Sequence, residues 1–179
     1  MAKNMIIRRK TRKIVVRDIQ IGDNAPVVIQ SMSNRDPYDV DALLEQIDLL
    51  SKSGCKIVRL TVPDEAAAGV FAKVRTQTKV PLVADIHFNY KCAIAAIEAG
   101  ADKVRINPGN IGSEERVKAV VDAAKAARIP IRIGVNSGSL EKNLLEKYGG
   151  PTPDALTESA LGYIALMEKI GFGDIILSI

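Results

Sequence analysis

Between residues 83 and 110 the chain reads V-A-D-I-H-F-N-Y, then a segment of helical character, then V-R-I-N-P-G-N. Each flank is an apolar run that stops in polar residues. Asp85 and His87 close the first run; Arg105 and Asn107 close the second. Strand, polar tip, helix, strand, polar tip is the pattern of a parallel α/β fold whose chemistry sits at the carboxyl ends of its strands.

The same pattern recurs along the chain. Residues 27–30, 56–60, 80–84, 103–106, 131–135 and 174–179 read as strands one to six. Helical spacing of apolar residues predicts helices over 39–53, from Asp64 onward, over 90–99, from Ser113 onward and over 153–170. Gly54 and Gly100 end two of them. Residues 139–148 form a short polar insertion with a helix of its own. Ahead of the repeat, residues 14–21 alternate apolar and polar and meet the turn signal Gly22-Asp23-Asn24. This piece is expected to form a small hairpin capping one end, so residues 1–25 are a basic segment plus hairpin and 26–179 the main body.

Two architectures fit alternating strands and helices: a doubly wound sheet and a (β/α)8 barrel. No Gly-rich dinucleotide fingerprint follows the first strand. Almost every strand ends in polar residues, as expected when many loops converge on one mouth. The expectation is therefore α/β, a (β/α)8 TIM-type barrel truncated after about strand six. Six strands make about three-quarters of such a barrel and leave open edges, so the chain reads as a fragment of a longer protein.

Composition narrows the function classes. The chain has 179 residues, 47% hydrophobic and 26% charged, which suits one globular domain rather than a disordered chain. Trp is absent and aromatics are 4%, which counts against a stacking platform for single-stranded nucleic acid. Much of the +4 net charge sits at Arg8, Arg9, Lys10, Arg12, Lys13 and Arg17. Such a cluster can touch an anionic polymer, but a solvated basic arm is the plainer reading. Cys55 and Cys92 stand far apart with no C-x-x-C spacing, so they give no metal motif; they read as reduced, buried and inert, in a cytoplasmic setting. No apolar stretch approaches the length of a membrane span.

The strand ends collect Gln30, Ser31 and Met32; Arg59 and Thr61; Asp85 and His87; Arg105 and Asn107; Arg132 and Asn136. Three arginines stand at equivalent places in three successive units and would face one mouth. Arginine keeps its charge and offers a planar fork of donors to phosphate oxygens; three around one mouth suit two phosphate groups. The plain alternative is an inward arginine paired with a carboxylate, and Asp85 is the acid at hand. His87, the sole histidine, could donate to a phosphate, act as acid or base, or simply hold a loop. A zinc site lacks its ligand set. The backbone of Pro108-Gly109-Asn110-Ile111-Gly112 could present N–H groups to an anion or be an ordinary turn.

At these residues the chain resembles a known family. V-A-D-I-H-F (83–88), V-R-I-N-P-G-N-I-G (104–112), I-P-I-R-I-G-V-N-S-G-S-L-E-K (129–142), K-Y-G-G-P-T-P (147–153) and Q-S-M (30–32) are similar, in order, to motifs of the 4-hydroxy-3-methylbut-2-en-1-yl diphosphate synthases. The resemblance runs from about Arg8 onward. It implies an oxidoreductase of the non-mevalonate isoprenoid route that reductively opens 2-C-methyl-D-erythritol 2,4-cyclodiphosphate with loss of water. It implies electrons from ferredoxin or flavodoxin through a [4Fe–4S] cluster, a substrate-binding barrel, a separate cluster domain and a homodimer. Arg59, His87, Arg105, Asn107, Arg132 and Asn136 match the family's diphosphate-binding set, with Asp85 orienting its neighbours. A barrel lysine expected beyond strand six, the last strands and the cluster domain are missing, so this chain alone is expected to hold no catalytic residue and no cluster. Two other readings fit parts of the sequence: a pterin- or phosphate-binding transferase of dihydropteroate-synthase type, and a non-enzymatic basic binding module.

Overall fold

The computed structural model describes residues 9–179. Two short strands come first, β1 (Ile14–Val16) and β2 (Ile19–Ile21), paired antiparallel. Six parallel strands follow: β3 (Gln30–Met32), β4 (Ile57–Thr61), β5 (Leu82–Asp85), β6 (Lys103–Ile106), β7 (Ile131–Gly134) and β8 (Ile175–Ser178). They lie side by side in chain order. The connections carry α1 (Val40–Lys52), α2 (Glu65–Gln77), α3 (Tyr90–Glu98), α4 (Pro108–Ile111), α5 (Glu114–Ala127), α6 (Lys142–Tyr148) and α7 (Pro153–Lys169). This is the expected truncated barrel.

The helices form where sequence supplies both a cap and an apolar face. Asp39 accepts from the Ala42 amide and starts α1; Asp64 does the same for α2 through Ala67, and Thr152 for α7 through Ala155. Leu43 and Ile47, Phe71 and Val74, Val117 and Val121 then turn inward at helical spacing. They meet alternate strand residues Val58, Leu60, Leu82, Ala84, Val104, Ile106, Ile131 and Ile133 in one continuous core. Cys55 and Cys92 are free and buried in this layer.

The other face of every strand points away from the helices, because side chains alternate. Register places Arg59, Val83 and Lys103 in one row and Asp85, Arg105 and Arg132 in the next. The sheet curls around this face. Lys103 Nζ on β6 donates to Gln30 Oε1 on β3 at 2.8 Å, although a flat sheet would hold strands three places apart about 14 Å from each other. Val16 of the hairpin packs on Ile57 and Val83, joined by Ile19, Ile21, Val28 and Ile176. The hairpin thus floors the curl with apolar side chains.

Three expectations need correction. The hairpin turns at Arg17-Asp18, with Arg17 in the left-handed region (φ 58°), rather than at Gly22-Asp23-Asn24, which forms a second turn closed by Ala25 N–H to Gly22 O at 3.0 Å. The first barrel strand covers Gln30–Met32, not 27–30; Val27 and Ile29 are exposed before it. The arginines come from the second, fourth and fifth barrel strands, and Asp85 stands on the third between them.

The basic arm is partly committed to the fold. Arg12 donates to Gly173 O at 2.8 Å and Arg17 to Lys79 O at 3.2 Å. Arg8 lies outside the described residues. No helix among them is long and apolar enough to cross a membrane.

Candidate functional site

Polar residues crowd the inner face toward the carboxyl ends of the strands. Asp85, 1% exposed, ion-pairs with Arg59 and, at 3.4 Å, with Arg105 Nη1. It orients these two arginines, as expected, and forms no hydrogen bond with His87. Arg105 itself is 8% exposed. It lies so close over β7 that a methyl group on Gly134 would come within 2.6 Å of its Nε. With its amide in the orientation that satisfies both neighbours, Asn136 accepts from Arg105 Nη2 at 3.0 Å and donates to Val135 O at 3.1 Å. Arg132 donates to Ser178 Oγ at 2.7 Å. Burial and the nearby Arg59 and Arg105 lower its pKa.

Asn107 is 2% exposed and caps α4: its Oδ1 accepts from the Gly109 amide at 3.1 Å, and its Nδ2 donates to Ser139 Oγ at 2.5 Å. The Pro-Gly-Asn stretch is therefore one turn of helix. Gly109 has no room for a side chain, since Tyr163 Oη lies 2.5 Å from where a Cβ would stand. Burial first, then Glu141, pushes the Tyr163 hydroxyl up.

The six expected site residues are not brought together equally. Arg59, Arg105, Asn136 and Asp85 form one linked group, with Arg132 beside Arg105 in register. Asn107 is tied to the β7–α6 loop through Ser139. His87, half-buried beyond β5, has its ring 6.3 Å from Phe88 and no side-chain hydrogen bond to the described residues. A cavity of about 520 Å³ opens on the inner face, lined by Gln30, Ile57, Lys103, Arg132, Ile176 and Ser178 above the hairpin floor. Of the six, only Arg132 lines it. Lys103 is not among the strand-tip residues, but its place two residues before Arg105 puts both on one strand face. Ser178 gave no signal.

Charge decides what this face can do. Three guanidinium groups share one carboxylate among the described residues, and Arg59 Nε is a buried donor with no partner. A buried donor left unpaired is costly, and arginine forks match carboxylate or phosphate oxygens.

Residues 11–179 match the model of the GcpE TIM-barrel domain. The chain belongs to the GcpE family. This GcpE chain is 55% identical over 173 residues to the 4-hydroxy-3-methylbut-2-en-1-yl diphosphate synthase (flavodoxin) of Caldanaerobacter subterraneus subsp. tengcongensis, covering 97% of this chain and 49% of that protein. It is 56% identical over 171 residues to the protein of the same name from Bacillus velezensis, covering 96% and 46%. The chain thus spans about half the length of the curated relatives it matches. Among solved structures, Yersinia pestis dihydropteroate synthase superposes with a TM-score of 0.67 at 12% identity, covering 93% of this chain and 65% of that one. A truncated 3-deoxy-D-arabino-heptulosonate 7-phosphate synthase from Thermotoga maritima gives 0.63 at 16%, covering 94% and 56%. At such identities the likeness is one of fold.

Cys55 and Cys92 do not fit a metal cluster. Cys55 Sγ donates to Ile57 O at 3.0 Å and Cys92 Sγ lies 3.7 Å from Pro63 O, both in the helix–sheet layer. Burial pushes the Cys92 thiol up, away from the thiolate that a metal needs.

Proposed function

We propose that this chain supplies the substrate-binding barrel of an oxidoreductase that opens 2-C-methyl-D-erythritol 2,4-cyclodiphosphate reductively to 4-hydroxy-3-methylbut-2-en-1-yl diphosphate. The names of relatives near 55% identity support the reaction. The observation that carries the binding role is the excess of guanidinium groups over carboxylates on the inner face, with a buried Arg59 donor unpaired. In this reading Arg59, Arg105 and Arg132 hold the two phosphates. Asn107 and Asn136 donate from the rim, and His87 approaches from the β5 loop. Asp85 keeps two of the arginines aimed, and the product of their arrangement is orientation of the ring.

Electrons arrive from flavodoxin or ferredoxin through a [4Fe–4S] cluster held elsewhere in the longer protein, which works as a cytoplasmic homodimer. No step is assigned to Cys55 or Cys92. A transferase of dihydropteroate-synthase type is the weaker reading, because that likeness is confined to fold. A basic nucleic-acid module is weaker too, because Arg12 and Arg17 are tied to the body of the fold through backbone carbonyls rather than standing on a free arm.

The test is Arg105→Lys in the full-length enzyme. Lysine keeps the charge and loses the fork, so the Michaelis constant for the cyclic diphosphate should rise about tenfold or more, the worth of one charge-assisted hydrogen bond. An unchanged Michaelis constant and turnover would remove Arg105 from the site.

A further inference from the structure

Lys103 is the most enclosed cation of the inner face, at 1% exposure. Its ammonium donates to Gln30 Oε1 at 2.8 Å, and no carboxylate among the described residues lies within ion-pair distance. Asp85 is taken by Arg59 and Arg105. Lys103 bonds Gln30 from β3 and feels the charges of Arg59 from β4 and Arg132 from β7, while Asp85 and Arg105 stand one row further along the strands. With Arg132 it lines the inner-face cavity. A buried ammonium beside guanidinium groups, with one amide oxygen for a partner, is costly until an anion joins it.

We propose that Lys103 is a further binding residue of this site for a diphosphate-class anion, the innermost cation beside Arg132. This rests on the anion-binding reading above. Burial, then Arg132 and Arg59, lower the lysine to about 7. Without an anion part of the population is therefore uncharged at neutral pH. An anion offsets the repulsion from both arginines, so protonation and anion binding assist each other. From pH 6 to pH 8 the charged fraction of such a lysine falls about tenfold, and the affinity for an anion that requires the charge falls with it.

The probe is methanedisulfonate, whose two sulfonates keep their charge over this range and so add no proton of their own. Titration calorimetry of this chain at pH 7, in two buffers of different ionisation enthalpy, should show net proton uptake. Affinity should weaken about tenfold between pH 6 and pH 8. Lys103→Met should bind more weakly at pH 6 and show less proton uptake and less pH dependence than the parent. Lys103→Arg, charged throughout, should also lose the part of the pH dependence that Lys103 supplies. His87 is present in every variant, so the contrast between parent and variant carries the assignment, and pH dependence in Lys103→Met equal to the parent's would overturn it. Circular dichroism checks folding; if Lys103→Met does not fold, the parent's proton count and Lys103→Arg decide. Binding at pH 6 that is equally tight in the parent and in folded Lys103→Met would overturn the role of Lys103 and leave the arginine site standing. Failure of the parent to bind either methanedisulfonate or pyrophosphate would overturn the anion reading, and this inference with it.

Discussion

Replacing Asp85 with Asn tests how the inner face is held together. The carboxylate is 1% exposed and sits between Arg59 and Arg105, whose side chains are 20% and 9% exposed. Asparagine keeps the shape and one acceptor oxygen but removes the charge. Two buried guanidinium groups then face each other and Arg132 with no counter-ion. Removing one partner of a buried ion pair costs about 3–5 kcal/mol, a large share of a stability of about 5–15 kcal/mol. With a urea dependence of about 2 kcal/mol per molar, the unfolding midpoint should fall by about 1.5–2.5 M. Pyrophosphate should recover much of the loss, because the freed guanidinium forks gain an anionic partner; at a hundred times its dissociation constant a ligand adds about 2.7 kcal/mol. Urea titrations followed by circular dichroism, with and without pyrophosphate, read both effects. A midpoint within about 0.3 M of the parent would refute the claim that Asp85 compensates the arginines.

Other consequences follow from the same geometry. Gly134→Ala places a methyl group 2.6 Å from Arg105 Nε, so the guanidinium must leave Asp85 and Asn136; pyrophosphate affinity measured by calorimetry should fall about tenfold, the loss of roughly one charged hydrogen bond. Asn107→Ala removes the cap of α4 and the link to Ser139, and should lower the stability read in urea by about 1 kcal/mol. In the anion-free chain Lys103 holds its proton below about 7, against 10.5 for an unperturbed lysine. Between those values the unfolded chain binds more protons, so this group makes stability rise with pH by up to about 1.4 kcal/mol per unit. Lys103→Met should flatten that rise in urea midpoints taken from pH 7 to pH 9, and an identical rise in the variant would assign it to another group.

The sequence reveals most of the barrel because apolar spacing recurs in each repeat and side-chain caps start several of the helices, although Ser113 makes no cap bond to α5. Asp39, Asp64 and Thr152 each stand one residue before their helix and bond its first turn. Misplacements fall where local signals are equivocal. Residues 27–29 are as apolar as a strand, yet Val27 and Ile29 remain exposed at the sheet edge. The hairpin turns on Arg17 in a left-handed conformation, which a Gly- or Asn-based turn rule does not anticipate. Pro108-Gly109 resembles an open turn, but the Asn107 side chain closes it into a helical turn.

At the site, the charged strand tips mark the right face, while their partners come from strand register and curvature. Asp85 reaches Arg59 and Arg105 from a strand between theirs. Lys103 meets Gln30 because the sheet bends through four strands, a long-range relation invisible to spacing along one strand. Gly134 gives no chemical signal at all, and its meaning is the arginine lying over it.

The most direct measurement is ³¹P NMR of 2-C-methyl-D-erythritol 2,4-cyclodiphosphate titrated with this chain. Both phosphorus resonances should shift and saturate at one ligand per chain, and an Arg105→Met, Arg132→Met double variant should abolish the shifts while retaining the circular dichroism of the parent. Unchanged resonances with the parent chain, or equal shifts with the double variant, would contradict an arginine cradle for the cyclic diphosphate.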